Sequence, residues 1–483
     1  MNALDRRSFL KRSLFAGSTV AWSARSWSQV AGANGDVRVG VIGFGGRGKD
    51  HLGGLSKLSG VRITGLCDVD QAVLRAEAEK RPGAETASDL RRLLDSKNVD
   101  AVSVATPNHW HALAAIWAIQ AGKDVYLEKP VSHNVWEGRQ IVNAARKYKK
   151  IVQTGTQSRS SQAIREAVAW VQKGNLGKIL VARGLCYKPR RSIGKVDGPQ
   201  PVPAGLDYDL WCGPALKLPI MRKQLHYDWH WDFNTGNGDL GNQGIHQMDI
   251  ARWFLGEQEL SPKVMSVGGR MAYVDDGNTP NTQIVYHAYA RAPLIFEVRG
   301  LPRGKEFQTD KGWSGNMDKF HGGSVAVIVH CEGGTVLVPN YSSAVALDSE
   351  GRELKKWSGA EDHYQNFVKA VRTREHKDLN ADILEGHLSS ALCHTGNISY
   401  RLGSRLTGTQ IRESIAGDKD LAETFGRMAE HLAANGVRIN EDHLVYGPML
   451  KMNPHTERFQ GNTAANRLLT RPYRKPYVVP ERV

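Results

Sequence analysis

Three short stretches of this chain hold residue types whose spacing can do chemistry. Gly43-Phe44-Gly45-Gly46-Arg47-Gly48 spells G-x-G-x-x-G directly after the apolar run Val37 to Ile42. A strand that enters a glycine turn and then a helix lets backbone N–H groups approach a pyrophosphate at the helix N-terminus. Asp68 ends a second apolar run, Val61 to Cys67. A carboxylate there accepts hydrogen bonds from a ribose 2′-hydroxyl and repels a 2′-phosphate, so NAD is expected over NADP. The second stretch, Glu128-Lys129-Pro130, follows Val125–Leu127. A lysine at a sheet edge, its pKa lowered by partial burial or a neighbouring cation, can move a proton while hydride passes to a nicotinamide. Spacing alone also allows an ordinary surface lysine. The third stretch runs from Gly236 to Asp249 and holds four glycines, Asn242 and His246. Its glycines suggest a loop that closely approaches a ligand. His246 and Asp249, three apart at a helix start, can share a face; a helix-cap histidine is the other reading.

These residues need a frame. Strands are expected at 37–42, 61–67, 101–105, 125–127 and 151–154, alternating with helices near 48–58, 71–80, 89–95, 112–121 and 135–147. That alternation predicts an α/β fold with an N-terminal doubly wound parallel sheet of the Rossmann type. After a helix at 161–173 the pattern changes to strands at 179–186, 264–271, 282–290, 295–298, 325–330 and 335–338, with a helix at 244–254. This reads as an α+β domain with a mostly antiparallel open sheet. Helices return at 364–372 and 382–402. Expected boundaries are therefore 34–158 for the dinucleotide domain, 159–435 for the substrate domain with helices 361–402 packing back, and 436–483 for an extended tail.

Aromatics crowd ahead of the third stretch: Trp211, Tyr227, Trp229, Trp231 and Phe233. Spaced by two, the last four would line one side of a strand. Trp229 and Trp231 could then stack on sugar C–H faces, or the cluster could be a buried core. His226 with His230, and His109 with His111, lack the carboxylate or cysteine support of a complete metal site, so no metal is expected. The five cysteines are odd in number and widely spaced, which gives no disulfide framework.

The N-terminus carries an address. Asp5-Arg6-Arg7-Ser8-Phe9-Leu10-Lys11 reads as a twin-arginine signal, with a weakly apolar core from Leu14 to Trp22. Cleavage is expected near Ala31-Gly32-Ala33, with Ser26-Trp27-Ser28 as the alternative, and export to the periplasm or medium follows. The net charge is +15; residues 1–33 hold five basic residues and one Asp, so the rest carries +11. Lysine and arginine are spread without a basic block carrying interleaved aromatics, which argues against nucleic acid as partner. No later stretch approaches the length of a membrane span.

On the Glu128-Lys129-Pro130 motif, with Thr106-Pro107-Asn108, His111 and the 37–400 layout, the chain resembles the glucose–fructose oxidoreductase, inositol dehydrogenase and rhizopine-catabolism (Gfo/Idh/MocA) family. The run Asp207 to Pro214 resembles its exported members. The resemblance implies that Lys129 and His246 are catalytic. It places the nucleotide against Gly43, Phe44, Gly45, Gly46, Arg47, Gly48, Asp68, Thr106, Pro107, Asn108, His111 and Glu128. The family usually has Asp four residues before the histidine; here that position is Asn242, which can bind a sugar hydroxyl but carries no charge. The expectation is an exported NAD-dependent oxidoreductase acting on a sugar, glycoside or cyclitol hydroxyl, with retained cofactor and a homo-oligomer formed through the C-terminal sheet. A redox-neutral NAD-dependent glycoside hydrolase is the alternative, and a non-catalytic sugar-binding protein a third reading.

Overall fold

The computed structural model describes residues 35–483; the twin-arginine segment lies outside them. The first domain is a six-stranded parallel sheet. Its strands are β1 (Val37–Ile42), β2 (Val61–Cys67), β3 (Glu85–Ala87), β4 (Ala101–Val104), β5 (Asp124–Leu127) and β6 (Val152–Thr154), in the order β3-β2-β1-β4-β5-β6. The reversal of order at β1/β4 opens a crevice at the carboxyl ends of the strands, where such folds bind ligands. β4 and β5 are buried throughout because helices cover both faces. One face packs Leu113, Ile116, Ile119 and Ile141 of helices Asn108–Gln120 and Val135–Lys147. The other packs Leu52 and Leu55 of α1 (Gly48–Leu55) beside Phe367 and Val371 of a helix at His363–Thr373, which returns from far along the chain.

The chain leaves this domain through helix Gln162–Gln172 and enters a second sheet at β7 (Ile179–Tyr187). The strands β8 (Lys263–Gly269), β9 (Thr282–His287), β10 (Leu294–Arg299), β11 (Val325–Cys331), β12 (Gly334–Asn340), β13 (Ser343–Asp348) and β14 (Glu353–Ser358) complete its centre. All pairings here are antiparallel except β7 with β10. One face buries Phe296, Val327 and Val329 against Met248 and Phe254 of helix Ile245–Leu255 and Leu392 of helix Ile383–Arg401. On the opposite face Met265, Ile284 and Ile295 pack under Phe425, Met428 and Leu432 of helix Lys419–Ala434.

Several elements depart from the expected frame. β3 is three residues long and exposed, and β14 is a lysine-bearing edge strand with one buried side chain, Trp357. Neither has a hydrophobic pattern to read, and charged edges are how sheets avoid further pairing. The segment beyond 436 is not simply extended. Leu444–Tyr446 and Leu450–Asn453 pair with β8, and only the last part wraps back, burying Tyr477 and Val479 in the core of the first domain.

Candidate active site

The glycine turn is shaped by close approach. Gly43 has φ of +78°, and a Cβ there would lie 2.9 Å from the Thr106 backbone nitrogen. At Gly48 a Cβ would sit 2.0 Å from the Gly43 carbonyl oxygen. Gly45 and Gly46 instead face open space inside a cavity of about 360 Å³, which side chains would fill. The same cavity is walled by Arg47, Asp68, Thr106, Pro107, Asn108, His111, Glu128, Lys129 and Asn242. The fold therefore brings together nearly all of the predicted nucleotide residues. Phe44 and Gly48 are the exceptions: Gly48 packs against the Gly43 carbonyl, and the Phe44 side chain is buried in the sheet core while its N–H donates to Asp68 Oδ2 at 2.9 Å. Asp68 also accepts from Asp70 N–H at 3.0 Å. Burial raises its pKa against those two bonds. His111 is buried, its ring nitrogens 2.5 Å from the Pro130 carbonyl and 2.7 Å from that of Thr106. It therefore braces the two loops rather than offering a free group.

Lys129 and Glu128 divide the work at the end of β5. The Glu128 carboxylate is buried and meets His51 Nε2 at 3.0 Å, Arg47 Nε at 3.1 Å and the Lys129 N–H at 3.0 Å. Burial works to raise its pKa, but His51, Arg47 and Lys129 outweigh it and hold the group well below the usual carboxylate range. Lys129 Nζ donates to the Asn242 backbone carbonyl. Burial pushes the ammonium below an ordinary lysine; Glu128 opposes this, and the charges of Arg47 and Lys188 add to it. A lysine whose pKa is lowered gives up its proton more readily than an ordinary one, which suits it to accept and return a proton.

Asn242 sits on a π-helical turn, Leu240–Gly244, that runs straight into the helix bearing His246. Such turns are uncommon and recur at functional sites. Here the widened turn leaves the Asn242 carbonyl free to hold Lys129. His246 is buried, its Nδ1 has no hydrogen-bond partner, and its ring lies 5.0 Å from that of Tyr341. Burial first and the Lys129 charge second push its pKa down to about 3, so it is neutral. Asp249 does not share this role: it is taken by Arg159 at 2.9 to 3.0 Å and by Ser389 at 2.6 Å.

The aromatic run is not a strand. Residues Leu225–Asp228 form a helical turn and Trp229–Trp231 a 3₁₀ turn, because His226, Tyr227 and Trp229 are tied by local bonds such as Trp229 Nε1 to the His226 carbonyl at 3.1 Å. Trp229 lines the cavity with Trp211, His226, Tyr227 and His230. Trp231 does not: it is buried beneath the Arg190 guanidinium, 5.1 Å from its ring centre. The whole segment from about 188 to 238 lies across the cleft. It is pinned at its neck by a buried Arg190–Asp239 pair, 2.7 Å on both arms, and at its far end by Asp207 N–H to the Val69 carbonyl and His226 Nε2 to Asp70. Sequence reasoning missed this cover, and it missed His51, Lys188, Gln243 and Tyr341. The one available signal for His51 was its place three residues into the helix after Gly48.

These features agree with what the sequence matches. Residues 37–156 match the model described as oxidoreductase family, NAD-binding Rossmann fold, and 163–300 that described as oxidoreductase family, C-terminal alpha/beta domain. The chain belongs to the Gfo/Idh/MocA oxidoreductase family. An inositol 2-dehydrogenase of Corynebacterium glutamicum (strain R) is 31% identical over 161 residues, 33% of this chain and 47% of that protein. Glycosyl hydrolase family 109 protein 2 of Shewanella sp. (strain ANA-3) is 35% identical over 172 residues, 30% of this chain and 38% of that protein. The matches thus span less than half the length of these curated relatives. In fold, the chain resembles the WlbA dehydrogenase from Bordetella pertussis, solved with NADH and UDP-GlcNAcA. The TM-score is 0.54 at 21% identity, covering 74% of this chain and 94% of that one. As in the rest of the family, the first domain is an NAD-binding Rossmann domain.

Proposed function

We propose that this chain oxidises a hydroxyl of a sugar, glycoside or cyclitol. The observation that carries the reading is the half-buried Lys129 side chain, tethered to the Asn242 carbonyl on the wall of the glycine-turn cavity, with a buried, neutral His246 near enough to feel its charge. NAD, when bound, supplies a hydride acceptor. Lys129 Nζ, as the neutral amine that its lowered pKa makes accessible, takes the hydroxyl proton and becomes the ammonium, and the buried Glu128 holds the Lys129 backbone in place. His246, kept neutral by burial, orients the substrate oxygen without competing for charge. Asn242 binds a second hydroxyl, and Trp229 offers an apolar ring face in the same cavity. Asp68 favours a nucleotide without a 2′-phosphate.

Two further parts of the reading rest on other features. Export rests on Arg6-Arg7 ahead of Phe9-Leu10-Lys11. Cofactor retention is supported by the 188–238 cover, since a nucleotide beneath it would leave only after the His226–Asp70 and Asp207–Val69 ties opened. A homo-oligomer would have to use parts of the second sheet other than the face of β8–β10 beneath helix Lys419–Ala434.

The second reading, a redox-neutral glycosidase, is favoured by the glycosyl hydrolase family 109 relatives together with that cover. The deciding experiment is product analysis of natively purified protein given assorted glycosides without added nucleotide. Many turnovers to free sugar and aglycone support the glycosidase. One equivalent of oxidised sugar, then a stall until an acceptor is added, supports the oxidoreductase. No conversion and no bound nucleotide would defeat both.

A further inference from the structure

A second cavity, also of about 360 Å³, lies where the C-terminal segment crosses the 188–238 cover. It backs onto the cofactor cleft with Asn237 as the partition. Asn237 Oδ1 accepts from Asn108 Nδ2 at 2.9 Å, its Nδ2 donates to the His133 carbonyl at 3.0 Å, and its own carbonyl accepts from Asn397 Nδ2 at 2.9 Å.

Positive charge gathers at this cavity, half-buried at Arg471 and exposed at Arg401 and Arg467. Three arginines line it, Arg401, Arg467 and Arg471, and among the described residues none of them forms an ion pair. Arg471 reaches only His133 Nδ1 at 3.3 Å and Asn234 Oδ1 at 3.0 Å, and its Nε has no partner. Burial lowers its pKa, yet a guanidinium stays protonated in proteins. Two carboxylates come near, and both are engaged. Asp232 pairs with Arg222 at 3.3 Å and accepts from Asn278 and Asn234. Glu137 accepts from Tyr473, Asn134 and the His133 N–H. Arg401 and Arg467 reach solvent, whereas the half-buried Arg471 feels Glu137 and Asp232 without a direct ion pair, which leaves its guanidinium open to an anion. Other lining residues also carry unpaired polar atoms: His394 Nδ1 and Asn397 Oδ1, both on residues at least nine-tenths buried. The Asn397 oxygen is an acceptor, which a bare oxyanion cannot satisfy and a hydroxyl can. The side-chain amides of Asn134, Asn234 and Asn278 are spent on Glu137, Leu216, Arg471, Phe233 and Asp232, so they shape the wall rather than bind, and the volume falls within the roughly 300–1,000 Å³ of small-molecule sites.

We infer that this cavity is a second ligand site, separate from the cofactor cleft, for a small polyhydroxylated carboxylate of the sugar-acid class. Its carboxylate meets the Arg401 and Arg471 guanidiniums, and its hydroxyls meet the unpartnered Asn397 Oδ1 and His394 Nδ1.

Calorimetric titration of the natively purified, nucleotide-loaded full-length protein tests this, with D-galacturonate and D-glucuronate as probes and D-galactose and sulfate as comparisons. At least one sugar acid should bind, about 10-fold or more tightly than galactose or sulfate. Binding should weaken about 10-fold or more in Arg401→Gln and in Arg471→Gln, the range expected for a lost charged hydrogen bond. It should persist in Lys129→Met, which separates this site from the cleft. Arg401 is exposed at a helix end, so its variant remains informative if Arg471→Gln misfolds. Failure of both sugar acids to bind overturns the inference. So does sulfate binding as tightly, or affinity that Lys129→Met abolishes and Arg401→Gln leaves unchanged.

Discussion

The two cavities are joined by the hydrogen bond from Asn108, which lines one, to Asn237, which lines the other, and they handle charge in opposite ways. Around the cofactor cleft the strong charges are met by fixed groups of the chain. Glu128 meets Arg47 and His51, Arg190 meets Asp239, and Asp68 meets two backbone N–H groups. The lysines have neutral partners, Lys188 the Gln243 amide and Lys129 the Asn242 carbonyl, and Lys129 is the group on which proton transfer is proposed to depend. Around the tail cavity the arginines have no such answers among the described residues. A site that has to tune one proton needs a fixed field, and internal pairs supply it without reorganising. A site that has to hold an anion keeps its cations free. The comparison makes different demands on mutants of the two regions.

The largest expected effect is at Lys129. Lys129→Met keeps the apolar stem and removes the ammonium, and turnover should fall on the order of 10²–10⁴-fold with nucleotide content unchanged. Near-normal turnover in the loaded variant would take proton transfer away from this residue.

Next comes the carboxylate that fixes it. Removing one partner of a buried ion pair costs about 3 kcal/mol or more, so Glu128→Gln should lower unfolding stability by that order in urea titration. The pH dependence has a definite sign. Folded Glu128 has a depressed pKa, so its stabilisation is present above the ordinary carboxylate range and is lost as pH falls through and below it. The gap between wild type and Glu128→Gln should therefore close on acidification. A gap that widened in acid would mean the carboxylate is not the charged partner described.

How far these residues could be read beforehand depended on whether their role is local. β1 and β2 were expected at the bounds observed, since each is a continuous apolar run closed by a turn residue. Gly43, Asp68 and Lys129 were legible for the same reason, each lying at the end of such a strand. The 188–238 cover was not legible. Its aromatics alternate as in a strand, but tertiary ties to Asp70, Val69 and Asp239 fold them into short turns. Arg401 and Arg471 are seventy positions apart and meet only when the tail returns across the first domain, so no window of sequence contains the second cavity.

Smaller effects separate selection from tuning. Asp68→Ala should weaken NAD binding about 10-fold or more, the size of a lost charged hydrogen bond, and narrow the preference against NADP in direct titration. Wild-type protein that held NADP the more tightly would contradict the reading of Asp68. Lys188, whose Nζ lies 3.3 Å from Gln243 Oε1, lowers the Lys129 pKa through its charge. Lys188→Met should therefore move the alkaline rise of turnover to higher pH. A shift toward acid, or none, would show that Lys188 does not act on the proton carrier.

The smallest effect is the one that most sharpens the contrast between the cavities. Arg401 has no carboxylate to abandon; its one recorded interaction is with the Phe233 ring, 5.2 Å from the guanidinium carbon. Its charge also repels that of Arg471, which partly offsets any cation–π gain. Arg401→Gln should therefore change unfolding stability by no more than about 0.5 kcal/mol, as for a surface substitution without a special partner. The same urea titration that shows a large loss in Glu128→Gln should show almost none here. A loss in Arg401→Gln comparable to that in Glu128→Gln would mean the guanidinium holds the fold together. Arg401 would then belong with Arg190 and Arg159 as an internal partner, and the division between a paired cleft and an unpaired tail cavity would fail.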